Sequence, residues 1–211
     1  MDNAELVRDL SAEVAKRLQR SRNPIPIGVS NRHIHVTKEH FVALFGPGRD
    51  MTKFRNLKQP GFYAAEQKID IVGPKGSIKG VRLLGPFRPH TQMEVSLTDA
   101  IGLGARPPVR ESGDVKGSGP VRLVGPYGAV EISEGLIISR RHLHMAPAEA
   151  QTMGMQDREV IRLRVGRGTD RDTVFGSVVV RVSDQFSLEL HLDTDEANAA
   201  GVKNGDLAYI V

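Results

Sequence analysis

Apolar and polar residues alternate along several short stretches of this chain, and turn-forming residues follow most of them. Alternation of this kind places successive side chains on opposite faces of a β-strand. The pattern predicts strands over Lys68 to Val72, Val81 to Leu84 and Val121 to Val124. Each of these segments is followed by a Gly-Pro pair, which is typical of a tight turn. We therefore expect the middle of the chain to consist of strands and turns.

The C-terminal part of the chain continues the β pattern. Strands are predicted over Val160 to Val165, Val174 to Val182 and Ser187 to Leu192, followed by a short helix near Thr194 to Ala200 and a last strand over Leu207 to Val211. Short strands with few helices between them fit small barrels better than a doubly wound sheet. The predicted fold class is mainly β, with small barrels and short helices.

Residues 2–20 have the pattern of a short amphipathic helix that precedes the main body. Its apolar positions are near helical spacing: Leu6, Val7, Leu10, Val14 and Leu18. Ser21 to Pro24 then break the pattern. Two interpretations remain open, because the helix could pack on its own domain or dock on a partner through its apolar stripe.

The body of the chain contains an internal duplication. Ile27 to Val36 and Leu136 to Met145 share the pattern apolar-x-apolar-Ser-x-Arg-His-apolar-His-apolar, with an offset of 142 − 33 = 109 positions. A predicted helix follows each copy, capped by Thr37 in the first and beginning near Pro147 in the second. Two pseudo-equivalent units are the simplest explanation.

Composition excludes some chemistry and leaves other chemistry open. The chain of 211 residues has no Cys, which excludes disulfides, zinc-thiolate sites and a cysteine nucleophile. Its net charge of +4 is compatible with an anionic ligand, but the basic residues are spread out and predict no nucleic-acid partner. No stretch is apolar enough to span a membrane, and the N-terminus lacks the apolar core of a signal peptide, so an intracellular protein is expected.

Four of the seven histidines form two His-x-His pairs, His33 with His35 and His142 with His144. On a strand, residues i and i+2 point to the same face about 6.5–7 Å apart, so two imidazoles can converge on one metal ion. Two copies in matching frames strengthen this interpretation. A tetrahedral site needs further ligands, which Glu94 or His191 could supply. Glu94 could equally be a solvent-facing carboxylate, and His191 a hydrogen-bonded edge residue.

Positive charge gathers near the predicted turn that contains Arg88. A guanidinium group donates two parallel hydrogen bonds to phosphate, although a surface arginine is the simpler interpretation. Lys75 and Arg82 add charge in the same region. The polar segment Pro107 to Asp114 is expected to form a loop near a site.

Several of these segments, in this order, resemble the phosphate propanoyltransferase family, the phosphotransacylases of bacterial microcompartments, including those of 1,2-propanediol degradation. The segments are Val29 to His35, Gly85 to Arg88 running into Gln92 to Glu94, Pro107 to Gly113, and Ser139 to His144. The resemblance covers about Pro24 to Val211. It implies two small β-barrel domains with short capping helices, related by the internal duplication, that bind two zinc ions. The first domain would combine residues 23–31 and 140–211, the second would be residues 32–139, and residues 1–22 would precede both.

The resemblance also implies roles for individual residues. His33, His35 and Glu94 match one zinc site, and Arg88 matches the phosphate-binding arginine. The second zinc site matches His142, His144 and His191. Six residues fall where the family contacts coenzyme A: Val29, Ser30, Asn31, Lys75, Arg82 and Asn198.

The reaction implied is acyl-CoA plus phosphate giving acyl phosphate plus CoA. Without a cysteine or a nucleophile-elbow motif, direct attack by phosphate is the simplest mechanism. Propanoyl, acetyl and longer acyl groups stay open, as do nickel, cobalt and manganese in place of zinc. In such a family the N-terminal helix often directs the enzyme into a protein shell, so shell proteins are expected partners of residues 2–20, and a homodimer or larger assembly is expected.

Three alternatives compete with this interpretation. His-x-His pairs also serve dinuclear metal-dependent hydrolases, which would cleave an ester or amide with water and without CoA. A two-domain cupin would use Glu39 and Glu149 after the two pairs, but both residues fall in predicted helices. A non-catalytic zinc-binding assembly module would bind metal and ignore acyl-CoA.

Overall fold

The chain forms two compact units, and each unit is built from segments that are separated in sequence. A computed structural model describes residues 2–211. The first unit consists of the described part of Met1–Val29 together with Arg141–Leu192 and Glu196–Val211, and the second consists of Ser30–Arg140 and Asp193–Asp195. The domain boundaries expected from the sequence stay a prediction, because a compact unit need not fold independently.

A closed barrel of six strands forms the first unit. In sequence order its strands are β1 (Ile25–Ser30), β10 (His142–Met145), β11 (Val160–Val165), β12 (Thr173–Val182), β13 (Glu189–Asp193) and β14 (Leu207–Ile210). Around the barrel they follow the order β1-β13-β10-β12-β11-β14, and β14 pairs with β1 to close it. The helices of this unit are α1 (Asn3–Ser21), α4 (Pro147–Met153) and α5 (Thr194–Ala200).

The second unit contains a second closed ring of six strands. Its elements are β2 (His33–His35), α2 (Lys38–Phe45), β3 (Lys53–Asn56), β4 (Tyr63–Val72), β5 (Ser77–Gly85), β6 (Gln92–Val95), α3 (Leu97–Leu103), β7 (Val109–Arg110), β8 (Gly119–Val124) and β9 (Ala129–Ser139). The ring runs β4-β5-β2-β6-β9-β8 and closes where β8 pairs with β4. Strands β3 and β7 extend it at β4 and β9. The expected mainly β fold with two barrels is confirmed.

Each barrel encloses its own aliphatic core. Ile34, Leu83 and Met93 are among the fully buried residues of the second unit, and Leu143, Leu163 and Leu190 have the same role in the first. In β2 and β10 these core residues alternate with the histidines of the two pairs. The pleat of the strand therefore assigns one face to packing and the other to polar side chains.

The duplicated segment forms the same local structure in both units, a strand that carries the His-x-His pair and then a short helix. Helix α2 begins after Thr37, whose side-chain oxygen accepts a hydrogen bond from the His40 amide at 3.0 Å. Helix α4 begins with Pro147, and Glu149 accepts a hydrogen bond from the Ala146 amide at 2.7 Å. Both helices end at a glycine, as the sequence predicts.

Helix α1 combines an anchored end with an exposed apolar stripe. Arg20, near its C-terminal end, is buried, bonds both carboxylate oxygens of Glu159 and donates to the carbonyl oxygens of Met153 and Gly154. The stripe itself is exposed, with Val7 61% and Leu10 56% accessible. One end of the helix thus packs on its own unit, while the stripe stays available. Among the described residues, no helix has the length and apolar character needed to cross a bilayer.

Candidate metal centres

The first cluster joins the histidine pair of β2 to a carboxylate of the neighbouring strand. Strand β6 pairs antiparallel with β2, and the register sets Glu94 directly opposite His33. One candidate ligand atom from each of His33, His35 and Glu94 lies within 4.8 Å of the other two. Glu94 is buried, so it is not a solvent-facing carboxylate. The three side chains converge as metal ligands do.

Backbone carbonyls fix the orientation of both imidazoles in this cluster. His33 Nδ1 lies 2.8 Å from the Asn31 carbonyl oxygen, and His35 Nδ1 lies 3.1 Å from that of Leu84. A carbonyl can only accept, so the Nδ1 atoms carry the protons in these contacts. In the neutral rings this leaves the Nε2 lone pairs for a metal ion, which is the usual arrangement around metal-bound histidines.

Opposite charges are balanced inside the first cluster. Burial lowers the pKa of His33, but the nearby Glu94 carboxylate outweighs burial and holds that pKa above its usual value. Burial would raise the pKa of Glu94, but the charge and hydrogen bond of His33 hold it well below its usual range. Burial, together with the positive charges of His33 and Arg88, lowers the pKa of His35 to about 3. His35 is therefore a neutral imidazole, the form that binds metal.

Two residues to which the sequence assigns no role hold the Glu94 carboxylate. Gln92, opposite His35, donates from Nε2 to Glu94 Oε1 at 2.6 Å, and the Ser139 side chain bonds the same carboxylate. Gln92 also accepts from the Gly113 amide at 2.6 Å and lies 2.9 Å from Ser112 Oγ. The polar loop expected near a site is thus linked to this cluster. The alternation of β6 could have indicated Gln92, since it shares a face with Glu94.

The second cluster contains three imidazoles. Strand β13 pairs antiparallel with β10, so His191 lies opposite His142, and the ligand atoms of His142, His144 and His191 lie within 4.8 Å of one another. The rings of His142 and His191 stack with centroids 4.8 Å apart. His144 stacks on Phe186 at 3.8 Å, a contact that no sequence pattern indicated. His191 is a half-buried residue of a paired strand, not an edge residue.

Strand pairing repeats the same register in both clusters, which makes Glu94 and His191 structurally equivalent positions. An ion pair is repeated as well. Arg32, just before the first histidine pair, bonds Asp99, and Arg141, just before the second, bonds Glu196 with Nε 2.6 Å from Oε1. Asp99 lies five residues after Glu94, and Glu196 lies five residues after His191. The Arg of the duplicated motif therefore joins the histidine strand to the helix that follows its partner strand.

Arg88 lies close enough to the first cluster for its charge to depress the pKa values of His33 and His35. It is half-buried, its amide donates to the Val36 carbonyl oxygen at 3.0 Å, and its guanidinium lies 5.4 Å from the centre of the Phe62 ring. A guanidinium group at this position can bind an anion that approaches the cluster.

The residues expected to contact coenzyme A are distributed over both units. Arg82 lies on β5 opposite His33, donates to the Ala65 carbonyl oxygen at 2.5 Å, and stacks on Phe54 at 4.8 Å. Lys75 and Asn198 are exposed. Val29 is half-buried at the end of β1, where its amide donates to the Asn204 side chain at 2.7 Å. Ser30 is half-buried and Asn31 is exposed. Their role in CoA binding stays a prediction.

Both clusters fit a divalent metal ion on their own chemistry. The first offers two imidazoles with oriented Nε2 atoms and one carboxylate, and the second offers three imidazoles. In the second, the buried His191 Nε2 lies 3.1 Å from Glu189 Oε2 without the alignment of a hydrogen bond, so this nitrogen could bind a metal ion. The structure does not support the cupin alternative, in which Glu39 and Glu149 would be metal ligands. Both residues lie in helices, and Glu149 caps α4.

Two small β-barrels, each with a strand-borne His-x-His cluster, define a duplicated barrel protein with two candidate metal centres. The model of the phosphate propanoyltransferase family matches residues 26–203. The phosphate propanoyltransferase of Thermotoga maritima is 48% identical over 92% of both chains, and that of Priestia megaterium is 47% identical over 99% of this chain and 96% of its own. That of Salmonella typhimurium is 46% identical over 92% of both chains.

The chain belongs to the phosphate propanoyltransferase family and is an acyltransferase.

Proposed function

We propose that this enzyme interconverts a short-chain acyl-CoA and inorganic phosphate with an acyl phosphate and CoA, at a metal site formed by His33, His35 and Glu94. The observation that carries the proposal is the position of a cationic guanidinium beside a convergent set of two imidazoles and a carboxylate. Membership of the family supports the reaction. Propanoyl-CoA is the first substrate to test, with acetyl-CoA as the alternative.

Arg88 binds and orients phosphate in this proposal. Phosphate carries up to two negative charges near neutral pH, and the buried surroundings of the cluster strengthen its attraction to a guanidinium. Holding the phosphate next to the thioester carbon converts an encounter of two solutes into a reaction between positioned groups. The cation also attracts phosphate toward a site whose own carboxylate, Glu94, would otherwise repel it.

In the reaction, a phosphate oxygen attacks the thioester carbonyl carbon, a carbon–oxygen bond forms, and the carbon–sulfur bond breaks with its electron pair leaving on the CoA sulfur. A zinc ion, when bound, would supply a Lewis acid for the carbonyl oxygen and the leaving thiolate. His33, His35 and Glu94 would hold that ion, and Gln92 keeps the Glu94 carboxylate in place through its 2.6 Å hydrogen bond. A second ion would be held by His142, His144 and His191.

The product of the reaction tests this proposal. Propanoyl-CoA and phosphate are incubated with the zinc-loaded enzyme, and acyl phosphate is trapped with hydroxylamine. Acyl hydroxamate in amounts equal to the CoA released is the expected result. Free propanoate in place of hydroxamate would indicate a hydrolase. Bound zinc without turnover would indicate an assembly module. Hydroxylamine also reacts slowly with thioesters, so the hydroxamate formed in a control without enzyme is subtracted.

We also propose a location and partners for this enzyme. The exposed apolar stripe of α1 would dock on shell proteins of a bacterial microcompartment, since an amphipathic helix binds partners through such a face. The enzyme would then act inside the compartment, in the degradation of 1,2-propanediol, as a homodimer or larger assembly. Val29, Ser30, Asn31, Lys75, Arg82 and Asn198 would contact CoA.

A further inference from the structure

Each cluster takes its third residue from a partner strand: Glu94 from β6 and His191 from β13. The residue two positions earlier on that strand differs between the two clusters. In the first cluster it is Gln92, which faces His35 across the strand pair, and in the second it is Glu189, which faces His144. Residues two apart on a strand share a face, so Glu189 points to the same side as His191. The second cluster therefore has a carboxylate where the first has an amide.

The Glu189 carboxylate is buried and lies beside the His191 imidazole, on the residue that pairs with His144. Its side chain is 11% exposed, and Oε2 lies 3.1 Å from His191 Nε2. A buried carboxylate is costly unless cations or hydrogen-bond donors surround it. Imidazole ligands bring no negative charge to a divalent ion, so His142, His144 and His191 alone would provide no counter-charge among the ligands. The first cluster has the Glu94 carboxylate for this purpose.

The neighbouring strand provides the space that this carboxylate occupies. Strand β1 lies beside β13, and Gly28 of β1 is buried against the Glu189 side chain. A Cβ atom at Gly28 would lie 2.7 Å from Glu189 Cδ and 2.8 Å from Oε1, closer than ordinary contacts allow. Any larger residue at position 28 would displace the carboxylate. The absence of a side chain there gives Glu189 its position next to His191.

We propose that Glu189 is part of the second metal site and supplies its negative charge, so that the site consists of His142, His144, His191 and Glu189. This inference rests on the metal sites of the proposed function. It predicts that the two sites depend on different carboxylates: Glu94 in one and Glu189 in the other. It also assigns Gly28 a role, which is to leave room for the second carboxylate.

The experiment measures zinc affinity with the second site isolated. The double variant His33→Ala, His35→Ala removes two ligands of the first site, and zinc binding is titrated against a competing chelator. Adding Glu189→Gln to this background should weaken zinc binding about 10- to 100-fold, the range found when residues around a metal site are changed. Gly28→Ala should also weaken zinc binding at the isolated site, although it leaves every ligand in the chain.

Glu149→Gln is the matched control, because Glu149 also follows the second histidine pair but caps α4. It should leave zinc affinity unchanged. Full affinity in the Glu189→Gln variant, or an equal loss with Glu149→Gln, would overturn the inference. If Glu189→Gln does not fold, the Gly28→Ala titration decides alone, and full zinc affinity there overturns the inference. A background that binds no zinc although its circular dichroism matches that of the wild type would contradict the second metal site itself.

Discussion

Single hydrogen bonds prepare the candidate metal ligands before any ion is present. The contacts from the Nδ1 atoms of His33 and His35 to backbone carbonyls set the ring orientations, and the amide of Gln92 does the same for Glu94. Because these groups are held by the protein, little ordering remains to be done when an ion binds. The site is therefore organised at the level of single side chains and their neighbours.

Arg88→Ala should raise the apparent KM for phosphate and lower kcat, with little change in the KM for acyl-CoA. Loss of the guanidinium removes both charge and orientation for the phosphate, and one charge-assisted contact of this kind is worth about 1.5–3 kcal/mol, or roughly 10- to 150-fold in kcat/KM. Steady-state kinetics with phosphate as the varied substrate checks this. The exposed Arg106, changed to Ala, serves as the control. Unchanged phosphate kinetics in the Arg88 variant would remove this residue from the mechanism.

Zinc binding to the first cluster should weaken as the pH falls. Glu94 holds the pKa of His33 above its usual value, so the proton on His33 persists to higher pH than on a free histidine, and a metal ion must displace it. With one competing proton, affinity falls by up to about tenfold per pH unit below the raised pKa. Titrations between pH 6 and 8 on the variant His142→Ala, His144→Ala would measure this. Equal affinity across that range would contradict the coupling between His33 and Glu94.

At the scale of elements, the strands β2 and β10 each carry both core residues and candidate metal ligands. Leu143 belongs to the barrel core, while His142 and His144 on either side of it belong to the cluster. The same alternation places Ile34 between His33 and His35. A change in the core therefore acts on the cluster through the position of one strand.

Leu143→Ala should reduce the free energy of unfolding by about 2–5 kcal/mol, because it leaves a cavity in a fully buried region. It should weaken zinc binding as well, since both neighbours are candidate ligands. Urea unfolding of the zinc-free protein gives the first quantity. Leu207→Ala on β14, where the side chain is 44% exposed, is the control and should cost less than about 1 kcal/mol. Equal destabilisation by both changes would contradict the assignment of Leu143 to the core.

Helix α1 is anchored at one end and exposes its apolar stripe, so the proposed docking can be tested without deleting the helix. Leu6→Gln, Leu10→Gln and Val14→Gln together remove most of the stripe, retain good helix formers and leave the Arg20 contacts with Glu159 intact. Specific activity should stay the same, while co-purification with shell proteins should be lost. A control with Arg8→Gln and Asp9→Asn should co-purify normally. Continued co-purification of the stripe variant would contradict docking through this face.

At the scale of the whole chain, each copy of the duplicated segment is divided between the two units. Strand β1, which leads into the first histidine pair, belongs to the barrel of the second pair, and β9, which leads into the second pair, belongs to the barrel of the first. The Ser139 side chain of the second motif accordingly bonds Glu94 of the first cluster. Each half of the duplicated sequence thus supplies residues to both units.

The sequence could predict what depends on local pattern. The sequence predicts the strand alternation, the caps of α2 and α4 and the repeated His-x-His pairs, because each depends on residues that are close together in the chain. The sequence does not predict the place of Glu189, Gln92 and Phe186 in the two clusters. Their positions depend on strand register and on the space at Gly28, which are long-range properties of the folded barrel. The sequence showed Glu94 and His191 as candidates, but only the register shows that they are equivalent.

The central claim is acyl transfer to phosphate at a metal site, and the most direct test is CoA release from propanoyl-CoA. Release is measured with and without phosphate, on zinc-loaded enzyme and on enzyme stripped with a chelator. The account predicts release only when both phosphate and metal are present, and recovery of the stripped enzyme when zinc is restored. Equal release without phosphate, or full activity in the metal-free enzyme, would contradict it.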